Sequence, residues 1–288
     1  MSGLQAHISK ILTWSCVDGP GNRMVLFFQG CNFNCLACHN PHTIGVCNDC
    51  GDCIPACPTP ALSMPMPGGK VRFDATLCTQ CDACLDACPI SANPMVQTYS
   101  VADILALLRD NLGFVSGITV SGGEATMQLP FIKALFLAMA EARDLAHLTR
   151  FIDSNGHLGP AAWRSLLEVT DGVMLDIKAF DPILHTRLTG RSNAHSLASA
   201  RQLHAAGKLY ELRYLMAPDQ TDSDAELQSL RRFAQSLDGP IRIRLNAFRT
   251  HGVRGAAADW PAMPRDRVEA AARFLEQANT GPVIVPAL

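Results

Sequence analysis

All 12 cysteines of this 288-residue chain lie in its first third, and none follows Cys88. In a cytosolic protein thiols stay reduced, so cysteines packed this densely point to metal rather than to disulfides. They form three constellations: Cys31, Cys35 and Cys38; then Cys47, Cys50, Cys53 and Cys57 followed by Pro58; then Cys78, Cys81, Cys84 and Cys88 followed by Pro89. Cys16 stands apart and reads as a structural thiol.

The triplet sits in the run Gly30-Cys-Asn-Phe-Asn-Cys-Leu-Ala-Cys-His-Asn40, after an apolar strand that ends at Gln29. Three thiolates on one loop can hold three irons of a four-iron cubane and leave the fourth without a protein ligand. An amine and a carboxylate, such as the methionine end of S-adenosylmethionine (SAM), can chelate an open iron. Electron transfer from the cluster can then split the adjacent sulfonium. Structural zinc normally takes four ligands, usually as two separated pairs, and an isolated triplet suits it poorly.

Each quartet matches the bacterial ferredoxin run C-x2-C-x2-C-x3-C-P, in which the fourth cysteine ligates the other cluster. Cys47, Cys50, Cys53 and Cys88 are therefore expected on one four-iron cluster, with Cys78, Cys81, Cys84 and Cys57 on its mate. Two zinc knuckles are the alternative, and the trailing Cys-Pro and the repetition favour the paired clusters.

The remaining sequence fixes the class of fold. With 48% of its residues apolar, the chain can bury a substantial core as one large domain or two small ones. The formal charge is only -2 and Lys and Arg are scattered, which argues against a nucleic-acid surface. Residues 1–23 carry Trp14, Asp18 and Pro20 where a signal core would be apolar, and the longest apolar stretch, 131–140, is short and broken by Lys133. A cytoplasmic protein with no membrane span is expected.

From residue 117 onward, β-branched runs alternate with stretches of helical spacing, the pattern of a parallel, barrel-like α/β sheet. Strands are expected at 24–29, 117–121, 148–153, 172–178, 209–216 and 240–246. Helices are expected at 100–111, 129–143, 160–169, 195–206, 224–237 and 264–277, making about six β/α units. Residues 47–93 break this rhythm and read as an insertion, leaving 1–46 and 94–288 for the partial barrel.

Several motifs together carry a resemblance. They are Ser15-Cys-Val-Asp-Gly-Pro-Gly-Asn-Arg23 before the first strand, the triplet loop with Cys38-His39-Asn40-Pro41, and Ser121-Gly-Gly-Glu-Ala125 at the end of the second strand. The sequence resembles the radical SAM family, and within it the glycyl-radical-enzyme activating enzymes, over nearly the whole chain. Its ferredoxin-type repeat is similar to that of most activases other than the pyruvate formate-lyase type, and the combination of features most resembles the YjjW-like branch.

The resemblance implies an incomplete (β/α)6 barrel of the radical SAM type with an inserted two-cluster ferredoxin-like domain. It implies three 4Fe-4S clusters and SAM as cofactors, with Cys31, Cys35 and Cys38 on the catalytic cluster. By the same likeness the backbone of Gly122 and Gly123 approaches the ligand and Glu124 receives the SAM amino group. Asp153, Asp176, Lys178 and Arg213, each at a strand end, help to hold SAM or a neighbouring cation. The stretch from Asp181 through His185 to Thr189-Gly190 orders its loop.

Two departures stand out. Ala37 occupies the position before Cys38 where the family usually has an aromatic, so a ring contact with adenine must be absent or replaced. Near residues 246–251, Arg249 aligns with a family histidine that reaches SAM, and His251 follows two residues later; either is a candidate alongside Ala37, Cys38 and His39. The implied reaction is reductive cleavage of SAM to a 5′-deoxyadenosyl radical that takes hydrogen from a glycine of a partner enzyme. A reduced flavodoxin or ferredoxin would supply the electron. The alternatives are a radical SAM enzyme acting on a small molecule or another protein residue, and an electron-transfer ferredoxin, which would leave the triplet and the Gly-Gly-Glu run unexplained.

Overall fold

A parallel strand covered on both faces reads as an unbroken apolar run, and residues 24–28 and 173–175 are such runs. In the computed structural model, which describes residues 3–277 and 281–286, both lie inside one large sheet. In chain order the elements are β1 (Gln5–Ser15), β2 (Arg23–Phe28), the two-residue strands β3 (Leu62–Ser63) and β4 (Arg72–Phe73), α1 (Ala83–Asp86), β5 (Gln97–Ser100), α2 (Val101–Asp110), β6 (Gly117–Gly122), α3 (Leu129–Glu141) and β7 (Thr149–Ser154). They continue with α4 (Pro160–Leu167), β8 (Gly172–Ile177), α5 (Pro182–Thr189), α6 (Ala194–Ala205), β9 (Leu209–Met216), α7 (Asp224–Gln235), β10 (Ile243–Ala247), α8 (Arg265–Glu276) and β11 (Val283–Ile284).

The nine-stranded sheet has the order β11-β10-β9-β8-β7-β6-β2-β1-β5. From β2 through β6, β7, β8 and β9 to β10 every neighbouring pair is parallel and follows the chain. This is the α/β partial barrel expected from the sequence, with β5 and β11 as its edges. The C-terminal ends of the six strands therefore share one rim. Among the described residues no helix is long and apolar enough to cross a membrane.

Besides the two-residue pair β3 and β4, three strands of the large sheet were not expected. β1 lies antiparallel between β2 and β5, and its register with β2 shifts between Ile8 and Lys10 and again between Leu12 and Ser15. Such irregularities break the alternation by which a flanking strand is read. β5 and β11 are too short to show a period.

At the bottom of the sheet Arg23, the last residue of the opening motif, is fully buried. Its guanidinium donates to Thr119 Oγ1, Thr149 Oγ1 and the carbonyls of Pro20, Ile118 and Thr149 at 2.6–3.1 Å and lies 4.4 Å over the Phe151 ring. Burial lowers its pKa to about 10. The motif thus locks three strands together far from the rim. Between β2 and β5 the chain leaves the sheet, and Cys53, Leu62, Cys84 and Leu85 form a small core of their own.

Candidate active site

The triplet loop leaves β2 at the rim, and backbone holds it from two sides. Gly30 and Cys31 donate to the carbonyls of Thr43 and Ile44 at 2.9 and 3.0 Å, while Asn34 and Leu36 donate to Thr189 and Leu188 at 2.9 Å each. Those last two carbonyls belong to α5, which starts on an Asp181 cap with Pro182 at its first turn and stops at Gly190 (φ 76°). Within it His185, fully buried, meets the Arg191 carbonyl through Nδ1 at 2.8 Å. The stretch from Asp181 to Gly190 is therefore a shelf for the cysteine loop.

The turn after β6 braces the loop from beneath. Gly122 (φ 116°) and Gly123 admit no side chain: a Cβ would stand 2.2 Å from the Phe28 nitrogen at the first and 2.3 Å from the Gly30 oxygen at the second. Gly123 and Glu124 then donate to the carbonyls of Phe28 and Gly30 at 2.9 and 2.8 Å. The Glu124 carboxylate does not line the cavity above. Oε1 accepts from Thr126 N, Thr126 Oγ1 and Ser154 Oγ, and Oε2 accepts from Asn155 N at 2.7 Å. Burial pushes its pKa up against these donors. The expected role of this side chain, receiving the SAM amino group, gives way to a brace between two loops.

Cys31, Cys35 and Cys38 line one cavity of about 400 Å³, together with Asp153, Asp176, Lys178 and Arg213. The carboxylates and cations are arranged in pairs. Lys178 Nζ lies 3.0 Å from Asp176, and Arg213 Nη1 lies 3.1 Å from Asp153, which also accepts from Ser121 Oγ at 2.8 Å. Burial alone would lower both cations, but Asp176 holds Lys178, and Asp153 and Asp176 hold Arg213, above their ordinary values. Glu211 orients Arg213 from behind at 2.9 Å and is itself tied to Arg242 at 3.0 Å. Its signal was the Glu-Leu-Arg spacing, which puts residues 211 and 213 on one face of a strand.

Burial pushes the Cys31 thiol up to about 12 and Cys35 to about 11, and raises Cys38. Thiols raised in this way hold their protons, and metal loading must release them. Three sulfurs on one cavity, with charged pairs opposite, fit a four-iron cluster that keeps one iron for a zwitterionic ligand.

The family profile of the Radical SAM superfamily matches residues 25–230. The chain belongs to the radical SAM superfamily. The pyruvate formate-lyase-activating enzyme of Streptococcus mutans is 33% identical over 250 residues, covering 85% of this chain and 78% of that protein. The enzyme of the same name from Staphylococcus aureus is 27% identical over 293 residues, covering 97% of this chain and 99% of that one. Among solved structures, QueE from Escherichia coli shares the fold with a TM-score of 0.55 at 12% identity, over 100% of this chain and 96% of that one. A radical SAM methyltransferase from Sphaerobacter thermophilus gives 0.53 at 16% identity, over 73% and 62%. The chain is a radical SAM enzyme of the glycyl-radical activating group, with SAM and a 4Fe-4S cluster as cofactors.

Other expected contacts of this radical SAM site fall differently. Ala37 and His39 line the cavity, and His39 Nε2 donates to the Arg249 carbonyl at 3.0 Å. Arg249 and His251 do not line it: the Arg249 guanidinium turns to the Met263 carbonyl at 3.2 Å, and His251 is exposed. Asn246 and Trp260 line that wall instead. Sequence reading passed over Trp260 because it stands on a long loop after β10, where no period points inward.

Both quartets gather around small pockets in the stretch between β2 and β5. Cys47, Cys50, Cys53 and Cys88 line one, and Cys57, Cys78, Cys81 and Cys84 line the other. None is in a disulfide, and among the described residues no group of three metal-binding side chains is drawn to single-ion spacing. Cys16, read as a structural thiol, is instead exposed, 3.8 Å from Asn22 Oδ1.

Proposed function

We propose that the radical SAM chemistry of this glycyl-radical activating enzyme takes place in the rim cavity, on a cluster held by Cys31, Cys35 and Cys38. When bound, that cluster supplies the electron that splits the SAM sulfonium into methionine and a 5′-deoxyadenosyl radical. Lys178 and Arg213 are the cations available to the SAM carboxylate, and Asp153 and Asp176 are the anions available to its positive groups or to a neighbouring cation. The amino group would meet the backbone at Gly122 and Gly123 rather than the occupied Glu124 carboxylate. Trp260 supplies an aromatic surface where Ala37 has none, and its indole is the contact we assign to adenine. The radical then removes hydrogen from a glycine of the partner glycyl-radical enzyme, and no side chain of this chain need act as acid or base.

We further assign 4Fe-4S clusters to the Cys47/Cys50/Cys53/Cys88 and Cys57/Cys78/Cys81/Cys84 rings, making residues 47–93 a ferredoxin-like insert as in YjjW-like activases. A reduced flavodoxin or ferredoxin is the proposed electron donor. The observation that carries the reading is the single cavity shared by three thiols and two carboxylate–cation pairs. Its test is Cys35→Ala, which should abolish dithionite-driven SAM cleavage while both inserted clusters keep their spectra. Substantial retained cleavage would move the site elsewhere.

A further inference from the structure

A hydrogen-bonded line of backbone runs from the catalytic triplet to one of the two quartets. The Cys31 amide donates to Ile44 O at 3.0 Å, the adjoining Gly45 amide donates to Ser91 O at 3.0 Å, and the adjoining Ala92 amide donates to Cys88 Sγ at 3.3 Å. Cys88 is the member of its constellation that shares a pocket with Cys47, Cys50 and Cys53. The neighbourhood of the other ring reaches the barrel differently, through the Arg254 guanidinium, which donates to the Leu85 carbonyl and the Asp86 carboxylate at 2.6 Å each.

Gly45 is what lets the two backbones meet. A Cβ there would stand 2.1 Å from Ile90 O and 3.2 Å from Ala92 N, backbone atoms that cannot swing aside. The buried Gln29 adds a second tie by donating from Nε2 to Gly45 O at 2.5 Å and to His42 O at 2.9 Å. Side-chain pairs such as Arg254–Asp86 suffice to attach an insert. A line of backbone amides that ends on a ligand sulfur also holds the two sulfur sets at a fixed separation, which electron transfer requires and attachment does not.

We propose that the Gly45–Ser91 seam is an electron connection, with Gly45 as its positioning residue: single electrons pass from the Cys47/Cys50/Cys53/Cys88 site to the Cys31/Cys35/Cys38 site. The inference rests on the function proposed above. In each transfer the first site is oxidised by one electron and the second reduced by one, and no bond or proton moves. The electron comes from an external low-potential reductant, and the carbon–sulfur bond of SAM consumes it.

The test stores electrons and watches them leave. The fully iron-loaded chain is reduced with dithionite, freed of reductant, mixed with SAM and frozen at intervals for EPR, with methionine counted in parallel. Loss of the reduced signal of the inserted clusters as more than one methionine per chain appears is the expected result. In Gly45→Ala, with iron content unchanged, the first methionine should form as before while the inserted signal persists. Signals that persist in the unaltered protein overturn the connection, and drainage as fast in Gly45→Ala as in the unaltered chain overturns the role of Gly45. Absence of any methionine counts against the proposed function itself.

Should Gly45→Ala lose iron, the exposed ligands Cys50 and Cys81 provide a second comparison. Cys50→Ser should strand electrons on the remaining inserted cluster, and Cys81→Ser should leave drainage intact. The reverse pattern would assign the connection to the other ring and overturn the proposal.

Discussion

Glu124 accepts four hydrogen bonds, and every partner donates. A glutamine there must turn its amide toward either Thr126 N or Asn155 N, so one N–H faces another in either orientation. Glu124→Gln should therefore cost nearly as much as Glu124→Ala, roughly 3 kcal/mol by chemical denaturation, and both should weaken SAM binding. A Gln variant with unchanged stability and affinity would remove the brace. On the opposite shelf, His185 Nε2 is buried without a partner, and burial lowers the pKa of the ring. The unfolded chain takes up this proton as pH falls through about 6.5, whereas folded His185 does so only at its lower value. Its contribution is thus complete above that pH and is lost as pH falls toward the folded value. His185→Gln should flatten the acid-side decline in melting temperature; an unchanged slope would exclude His185 as a source. Trp260→Ala should weaken SAM binding with cluster spectra unaltered, and an unchanged dissociation constant would remove the adenine assignment.

At the scale of elements, the site depends on how closely two turns approach. Gly123→Ala puts a methyl 2.3 Å from Gly30 O and 2.6 Å from Thr43 O, a backbone overlap expected to cost about 1–3 kcal/mol and to tilt the cysteine loop. Iron retention by the triplet and SAM affinity should fall while the far-ultraviolet circular dichroism stays that of the α/β sheet. Normal loading would mean that the loop yields freely. The six parallel strands were legible in the sequence because burial on both faces leaves runs such as Met24–Phe28 without alternation. The charged strand ends were legible because Asp153 and Asp176 close such runs, whereas Arg213 lies inside β9 with Tyr214, Leu215 and Met216 after it. β1 was hidden by its register shifts. The wall after β10 was misread because a loop has no period: nothing in Asn-Ala-Phe-Arg-Thr-His says that Arg249 turns to Met263 while Trp260 folds back.

Across the whole molecule, the ferredoxin run already pairs Cys88 with Cys47, Cys50 and Cys53, and Cys57 with Cys78, Cys81 and Cys84, and the folded chain gathers each of those sets around one pocket. If those rings each hold four irons, the anaerobically loaded chain should contain about 12, and Cys57→Ala should damage the cluster of Cys78, Cys81 and Cys84 rather than the one nearest in sequence. Mössbauer spectra that tie Cys57 to Cys47, Cys50 and Cys53 would contradict the crossing. In the proposed function, the rim cavity directs its radical to the backbone of another enzyme. The most direct measurement is EPR on the reduced protein mixed without oxygen with SAM and a glycyl-radical partner from the same genome. A stable carbon-centred doublet that collapses when the glycine Cα carries deuterium is the expected result. Rapid SAM cleavage with no such signal in any partner would contradict it.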